Sequence, residues 1–202
     1  MMPGETDPDA ALMMKVKEGD MTAFAELADK YKQPVINLAY RMLRDLAEAE
    51  DLAQAAFLQV YRSAARYEVS SKFSTWLFTI ARNLCLNEIR RRSRHPADSM
   101  DAPGIDGGEA PQAQFEDRRT SSPPDLLLES ELERMVGEAI ADLPETQRYA
   151  LLLCQQDELS YEEISAILGC SLSATKSTIH RARETLKQRL KPYLKTGVWD
   201  EQ

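Results

Sequence analysis

The sequence predicts an all-α protein made of two small helical domains joined by a flexible linker, with a helix-turn-helix in the second domain. Apolar residues recur at steps of three and four on both sides of the centre, which is typical of amphipathic helices. Between them, residues 96–125 hold five of the ten prolines and three of the eight glycines. Near the C-terminus, residues 160–190 have the pattern of two helices joined by a glycine turn.

Length and composition agree with two domains of this size. The chain has 202 residues, of which 43% are hydrophobic, so it can bury a core in each domain. We place the first domain at residues 10–95 and the second at residues 126–195. The acidic, proline-rich residues 96–125 between them form the predicted linker.

The first domain begins with a short predicted helix over residues 9–18. Asp20 then caps a longer helix, whose apolar residues form one stripe: Phe24, Leu27, Ala28, Tyr31, Val35, Leu38 and Met42. Pro34 lies inside this pattern, and because proline removes one backbone N–H, we expect it to kink or split the helix. A further helix is predicted from about residue 48 to residue 65.

The last helix of the first domain is expected over residues 73–94 and carries two amides followed by arginines. At about 100° per residue these side chains share roughly a third of the helix circumference. They are Asn83, Asn87, Arg90, Arg91 and Arg94. Amides can make paired hydrogen bonds to base edges, and arginines bind phosphate, so the pattern favours DNA binding. The alternative is an ordinary solvated face whose basic end is favoured by the helix dipole.

The second domain is predicted to open with a helix from about residue 126 to Leu143. Pro144 stands at a plausible first position of the next helix, because its missing N–H has no partner there in any case. That helix is expected to carry Tyr149 through about Gln156.

Capping signals define the helix-turn-helix. Ser160 and Glu163 have the spacing of a capping box, and Gly169 stands where a left-handed C-cap is needed. The second helix is expected from about Ser171, with an apolar stripe opposite a small, polar and basic face. The stripe consists of Leu172, Ile179, Ala182, Leu186 and Leu190. The two interpretations are a helix that enters the DNA major groove and a plain helical hairpin with a solvated face.

The formal net charge of −8 is unevenly distributed. Residues 82–95 contain five arginines and one glutamate, and residues 176–195 contain seven basic residues and one glutamate. Residues 96–142 are strongly acidic. Because local patches decide where phosphates bind, the two basic segments predict weak DNA binding that a partner assists.

Several function classes find no support in the sequence. No run of eighteen apolar residues exists and the N-terminus lacks an apolar signal segment, so we expect no membrane insertion and a cytoplasmic location. Cys85, Cys154 and Cys170 are odd in number and widely spaced, which predicts free thiols. Without a phosphate loop, a metal-ligand set or a nucleophile–base motif, we expect no enzymatic activity, no cofactor and no small-molecule substrate.

The second domain resembles the promoter-binding C-terminal domain of bacterial sigma factors of the sigma-70 family. The residues that carry this likeness are Leu143-Pro144-Glu145, Arg148, Leu151, Ser160-Tyr161-Glu162-Glu163-Ile164 and Arg181-Ala182-Arg183. The segment from Phe73 to Asn83 resembles the part of these factors that opens and reads the promoter near the start site. Together the two likenesses indicate the compact extracytoplasmic-function (ECF) group.

The resemblance implies core RNA polymerase and promoter DNA as partners, and an anti-sigma factor that holds the protein inactive until a signal arrives. Asn83 and Asn87 would read the −10 element with help from Arg90, Arg91 and Arg94, and the preceding loop would capture a flipped base. The −35 element would be read by a second set, namely Ser173, Lys176, Ser177, His180 and Arg181. Asp51 and Gln54 would contact the polymerase clamp.

The sequence departs from the family pattern at two places. Ser173-Ala174-Thr175 stands where many relatives have Gly-Thr-Val, and Thr178 replaces a basic residue. These changes put base preference and phosphate affinity at the −35 element in doubt. The competing interpretation is a free-standing helix-turn-helix regulator with an N-terminal sensing domain. It would bind duplex DNA tightly without polymerase, usually as a dimer, but the chain shows no heptad seam.

Overall fold

The computed structural model describes residues 7–94, 132, 134–156 and 159–196. Over these residues the chain is helical and forms no strand, which confirms the predicted all-α class. The helices are α1 (Pro8–Lys17), α2 (Met21–Leu43), α3 (Leu46–Ser63), α4 (Phe73–Arg94), α5 (134–141), α6 (Glu145–Leu153), α7 (Tyr161–Leu168) and α8 (Leu172–Thr196). The predicted linker at residues 96–125 lies outside the described residues.

Carboxylate caps start the first three helices. Asp7 caps α1, and Asp20 caps α2 by accepting from the N–H groups of Thr22 and Ala23 at 2.8 and 3.2 Å. Asp45 caps α3, which therefore begins at Leu46, two residues before its predicted start. Each cap satisfies backbone donors that have no partner inside their own helix.

Pro34, which was predicted to kink or split α2, does not split it. The helix continues through the proline from Met21 to Leu43. Proline costs one backbone hydrogen bond, but the apolar stripe on either side stays buried, with Tyr31, Val35 and Leu38 at most 4% exposed. Packing of this stripe therefore outweighs the local defect.

The bounds of helix α6 in the second domain differ from the prediction. Pro144 is the N-cap of α6 and not its first helical residue, because its backbone is extended at φ −51° and ψ 140°. The helix runs from Glu145 to Leu153 and so ends before the predicted end at about Gln156, because the chain turns at Cys154.

The helix-turn-helix has the predicted caps. Ser160 N donates to Glu163 Oε2 at 2.7 Å, and Glu163 N donates to Ser160 Oγ at 3.2 Å, which completes the capping box. Gly169 adopts φ +67° at the end of α7. In α8, Ile179 and Ala182 are buried as predicted, and the other three residues of the apolar stripe are half-buried.

The two domains pack against each other through α2 and α4 on one side and α6 and α7 on the other. Tyr149 is fully buried, and its hydroxyl donates to the Phe78 carbonyl at 3.1 Å. Arg148 Nη1 donates to the Met42 carbonyl at 3.1 Å. Lys72 pairs with Glu163 at 3.0 Å. The apolar residues of both domains therefore form one continuous core.

Replacing Gly169 by alanine is expected to lower the free energy of unfolding by about 1 kcal/mol, because a Cβ disfavours the left-handed conformation. No atom lies within 4 Å of the added Cβ, so the cost comes from the backbone alone. Urea denaturation measures it. Gly137→Ala is the control, because Gly137 lies in helical α5 and its added Cβ meets only the tip of Arg44. Equal stability of G169A and the unmodified protein would contradict the assignment.

Candidate nucleic-acid interface

Helix α4 presents the predicted polar face to solvent. Its first half packs inward through Leu77, Ala81 and Cys85, all at most 1% exposed. The opposite side carries the five predicted residues, all of them exposed: Asn83, Asn87, Arg90, Arg91 and Arg94. The helix continues without a break through this stripe, so the amides and the guanidinium groups follow one another along one straight element.

The arginines at the end of α4 do not all have the same surroundings. Arg91 pairs with Glu88, with its Nη2 at 2.8 Å from Oε1. Arg92 donates to the Leu43 carbonyl at 2.8 Å and pairs with Glu48, so it ties α4 to the end of α2 and the start of α3. Four residues of the stripe line a shallow groove of about 310 Å³, namely Asn87, Arg90, Arg91 and Arg94. Such a groove is suited to an anionic phosphate.

The loop before α4 forms a cavity of about 360 Å³. Its lining is polar apart from two aromatic rings and consists of Ser63, Arg66, Tyr67, Glu68, Ser70, Ser71 and Trp76. Trp76 is half-buried and packs against Tyr67 with 5.0 Å between ring centroids. An aromatic wall beside hydroxyl and charged groups is chemically suited to a planar, hydrogen-bonding guest such as a nucleobase.

The phenol of Tyr67 is buried. Loss of solvent, with a smaller contribution from the negative charge of Asp7, raises the pKa of Tyr67 to about 12. The ring is 5% exposed, and its hydroxyl finds no hydrogen-bond partner among the described residues. Tyr67 therefore serves as an uncharged, rigid part of the cavity wall.

Helix α8 presents the second predicted set to solvent. Ser173, Lys176, Ser177, His180 and Arg181 are all exposed. Lys176 Nζ lies 6.0 Å from the centroid of the Tyr161 ring in α7, a cation–π distance. Arg181 donates from Nε to the carbonyl of Ser177 at 3.3 Å. Thr175, within this segment, is fully buried, and its hydroxyl bonds Ser171 O at 3.1 Å.

Helix α3 carries the residues assigned to the polymerase contact. Asp51 and Gln54 are exposed, whereas Leu52 and Phe57 are buried. An apolar extension of this exposed face was not predicted from the sequence. Leu58 and Tyr61 are each 47% exposed and continue it at steps of four and three from Gln54. This helical spacing was the signal in the sequence that could have identified both residues.

These features define a class of protein. A helix-turn-helix beside a helical domain with an amide- and arginine-bearing helix is the architecture of a DNA-binding transcription factor. Residues 27–95 match the family model described as Sigma-70 region 2, and residues 133–186 match the model described as Sigma-70, region 4.

Curated relatives match over nearly the whole chain. The RNA polymerase sigma-H factor of Pseudomonas aeruginosa is 36% identical over 193 residues, which cover 94% of this chain and 97% of the relative. The ECF RNA polymerase sigma factor SigW of Bacillus subtilis is 36% identical over 177 residues, with 88% and 94% covered. The ECF sigma-E factor of Escherichia coli is 34% identical over 191 residues, with 93% and 96% covered.

The solved structure of the sigma factor RpoE with the anti-sigma factor NepR, from Bartonella quintana, has a TM-score of 0.63 at 28% identity. The match covers 83% of this chain and 96% of the RpoE chain. The chain belongs to the sigma-70 family of bacterial RNA polymerase sigma factors, within the ECF group. As such it binds core RNA polymerase and directs promoter-specific initiation of transcription.

The free-standing regulator is set aside, because its N-terminal half would be a sensing domain and here that half matches sigma-70 region 2. None of the described helices combines the length and the apolar character that crossing a bilayer requires.

Proposed function

We propose that the two domains divide promoter recognition between them. Residues 10–95 bind polymerase and open and read the −10 element, residues 126–195 read the −35 element as duplex, and residues 96–125 connect the two. The observation that supports this division is the pair of exposed polar and basic helix faces, one on α4 and one on α8. Each face sits opposite a buried apolar side, so each is rigidly presented.

At the −10 element, Asn83 and Asn87 contact base edges, and the arginines at 90, 91 and 94 bind the adjacent phosphates. The groove of about 310 Å³ between Asn87 and these arginines supports this arrangement. The loop cavity takes up one base extruded from the stack. Unstacking costs a few kcal/mol, and stacking on Trp76 together with the polar lining returns part of that energy.

At the −35 element, α8 lies in the major groove. Arg181 and Ser177 make the principal contacts, with Lys176, His180 and Ser173 beside them. All five side chains are exposed on one helix, and the first helix of the motif supports Lys176 through Tyr161. Bidentate arginine contacts to guanine and hydroxyl contacts to either base are compatible with this set.

The polymerase clamp binds the exposed face of α3. Asp51 and Gln54 supply polar contacts, and the half-exposed Leu58 and Tyr61 supply the apolar surface that a stable interface needs. This protein performs no catalysis itself, acts in the cytoplasm with polymerase, and is held inactive by an anti-sigma factor. The relative of 28% identity solved with the anti-sigma factor NepR supports that last assignment.

The test is to mix the purified chain with bacterial core RNA polymerase and to sequence the transcripts from a library of genomic fragments. Transcripts that appear only with both components, and that share two upstream sequence elements, support the proposal. Tight duplex binding by the chain alone, without promoter-specific transcripts, would contradict it. The shared elements also provide the cognate DNA for the variants below.

Arg181→Ala is expected to weaken binding to the −35 element by about 1–3 kcal/mol and to relax preference at one base position. The measurement is holoenzyme affinity for duplexes in which each position of the element is varied in turn. Arg183→Ala is the matched control, because Arg183 is also exposed on α8 but lies two positions away on another face. Uniform weakening across all sequences would make Arg181 a phosphate anchor instead of a base contact.

A further inference from the structure

The cavity-forming loop, residues 67–72, has no regular secondary structure. Within this loop, the backbone N–H of Ser70 donates to the carbonyl of Glu68 at 2.8 Å. A loop that must be ordered when a base enters loses conformational entropy at that moment, whereas a loop that is already held does not. The contacts that hold the two ends of this loop therefore affect the affinity of the cavity for a base.

Both ends of the loop are held by α1. At the first end, Lys17 Nζ donates to the carbonyl of Tyr67 at 2.9 Å. At the other end, Asp7 Oδ2 accepts from the N–H of Phe73 at 2.8 Å, which caps the start of α4. Lys17 is the last residue of α1 and Asp7 is its N-cap, so the two bonds come from opposite ends of one ten-residue helix. Such a helix is about 15 Å long and spans the base of the loop.

Helix α1 is itself firmly attached. Asp9 is 6% exposed and accepts from Lys30 Nζ at 2.6 Å and from the hydroxyl of Tyr31 at 2.5 Å, both in α2. Met13 and Val16 are buried in the core. Charge-assisted bonds to a buried carboxylate are among the stronger contacts in proteins. Movement of α1 relative to α2 is therefore restrained, and so are the two loop anchors.

Asp7 joins two helices with one carboxylate. Its Oδ1 accepts from Asp9 N at 3.2 Å at the start of α1, while Oδ2 accepts from Phe73 N at the start of α4. The region 2 family model begins at residue 27, so both anchors come from a part of the chain outside that match.

We propose that Lys17 and Asp7 are positioning residues for promoter recognition, which hold the 67–72 loop in the conformation that accepts an extruded base. The proposal rests on the proposed base-capture role of the cavity and adds to it a fixed support from α1. Neither residue touches the base. Their effect reaches it through the Tyr67 carbonyl and the first turn of α4.

The test uses holoenzyme made from the full chain and core polymerase. The probes are fluorescent single-stranded oligonucleotides carrying the −10 element found by the transcription experiment. One has the natural sequence, and the others have an abasic site at each position in turn. For the unmodified protein, the position whose loss weakens binding most identifies the captured base. The ratio of natural to abasic affinity at that position is the capture ratio.

Lys17→Met keeps the apolar stem and removes the donor. We expect the capture ratio to fall by about tenfold, the scale of one hydrogen bond from a charged group. Affinity for the abasic probe should not change. Lys17→Arg retains a donor and should restore most of the ratio. Lys15→Met, in the same exposed turn of α1, is the matched control and should behave as the unmodified protein does.

Asp7→Asn provides a second variant, because it keeps one acceptor oxygen and so risks the fold less than alanine would. Like Lys17→Met, it should lower the capture ratio. An equal loss of affinity for natural and abasic probes, or an unchanged ratio in Lys17→Met, would overturn the positioning role while base capture stands. Absence of a preferred position in the unmodified protein would instead refute base capture, and the positioning role with it.

Discussion

Tyr149→Ala is expected to lower the free energy of unfolding by about 3–5 kcal/mol, the range for truncating a large buried aromatic residue. Tyr149 is 1% exposed and lies between the domains, where its hydroxyl bonds the Phe78 carbonyl in α4. Its removal leaves a cavity at the junction and an acceptor without its cross-domain donor. Guanidinium denaturation of the full chain measures the loss.

Cys85 gives an independent readout of the same change. It is fully buried in α4 beside Tyr149, and burial raises the pKa of its thiol to about 12. Since only the thiolate reacts with an alkylating agent, Cys85 should be protected at pH 8 in the unmodified protein. Tyr149→Ala should admit solvent, lower that pKa and speed the labelling of Cys85, which peptide mapping distinguishes from labelling of the exposed Cys170.

One further variant tests the hydroxyl of Tyr149 alone, and another is a control. Tyr149→Phe keeps the ring and loses only the hydrogen bond to the Phe78 carbonyl, so we expect a loss of about 1 kcal/mol. Tyr161→Ala is the control, because that ring is 37% exposed. If Tyr149→Ala left both the unfolding free energy and the protection of Cys85 unchanged, the packing of α6 on α4 would not exist in solution.

Local signals explain which parts of the fold could be predicted. The bounds of α4, the capping box at Ser160 and the left-handed Gly169 all depend on residues within a few positions of one another. The junction between the domains could not be predicted in this way. Tyr149 and Phe78 are 71 positions apart, and nothing in the periodicity of either helix names its partner.

The candidate site also contains some residues that local periodicity predicts and others that only long-range contacts place. The stripes of α4 and α8 follow from helical periodicity, so their exposed residues were predicted correctly as sets that share a face. The cavity wall was not. Tyr67 lies in a loop, which has no period from which the direction of its side chain can be read, and the helical position of Trp76 does not reveal that its ring lines a cavity formed with that loop. The anchors Asp7 and Lys17 lie 66 and 50 positions from the groups they hold. Contacts of this range are fixed by tertiary packing alone.

The double variant Asn83→Ala/Asn87→Ala is expected to abolish most opening at the cognate promoter while binding to core polymerase stays intact. Each paired amide–base contact contributes about 1–3 kcal/mol, so two together change occupancy of the open state by orders of magnitude. Both side chains are exposed and neither packs in the core, so the fold should not suffer. Permanganate reactivity of unpaired thymines measures opening, and anisotropy with labelled polymerase measures binding.

A template that is already unpaired over the −10 element separates reading from opening. If the amides contact bases, the defect of the double variant should persist on this template, because those contacts are needed in the open state as well. Ser93→Ala, also exposed near the end of α4, is the matched control and should open the promoter normally. A parallel fall in polymerase binding would make Asn83 and Asn87 structural residues. Full recovery on the unpaired template would restrict them to strand separation, and base reading would then belong to the loop cavity and its aromatic wall.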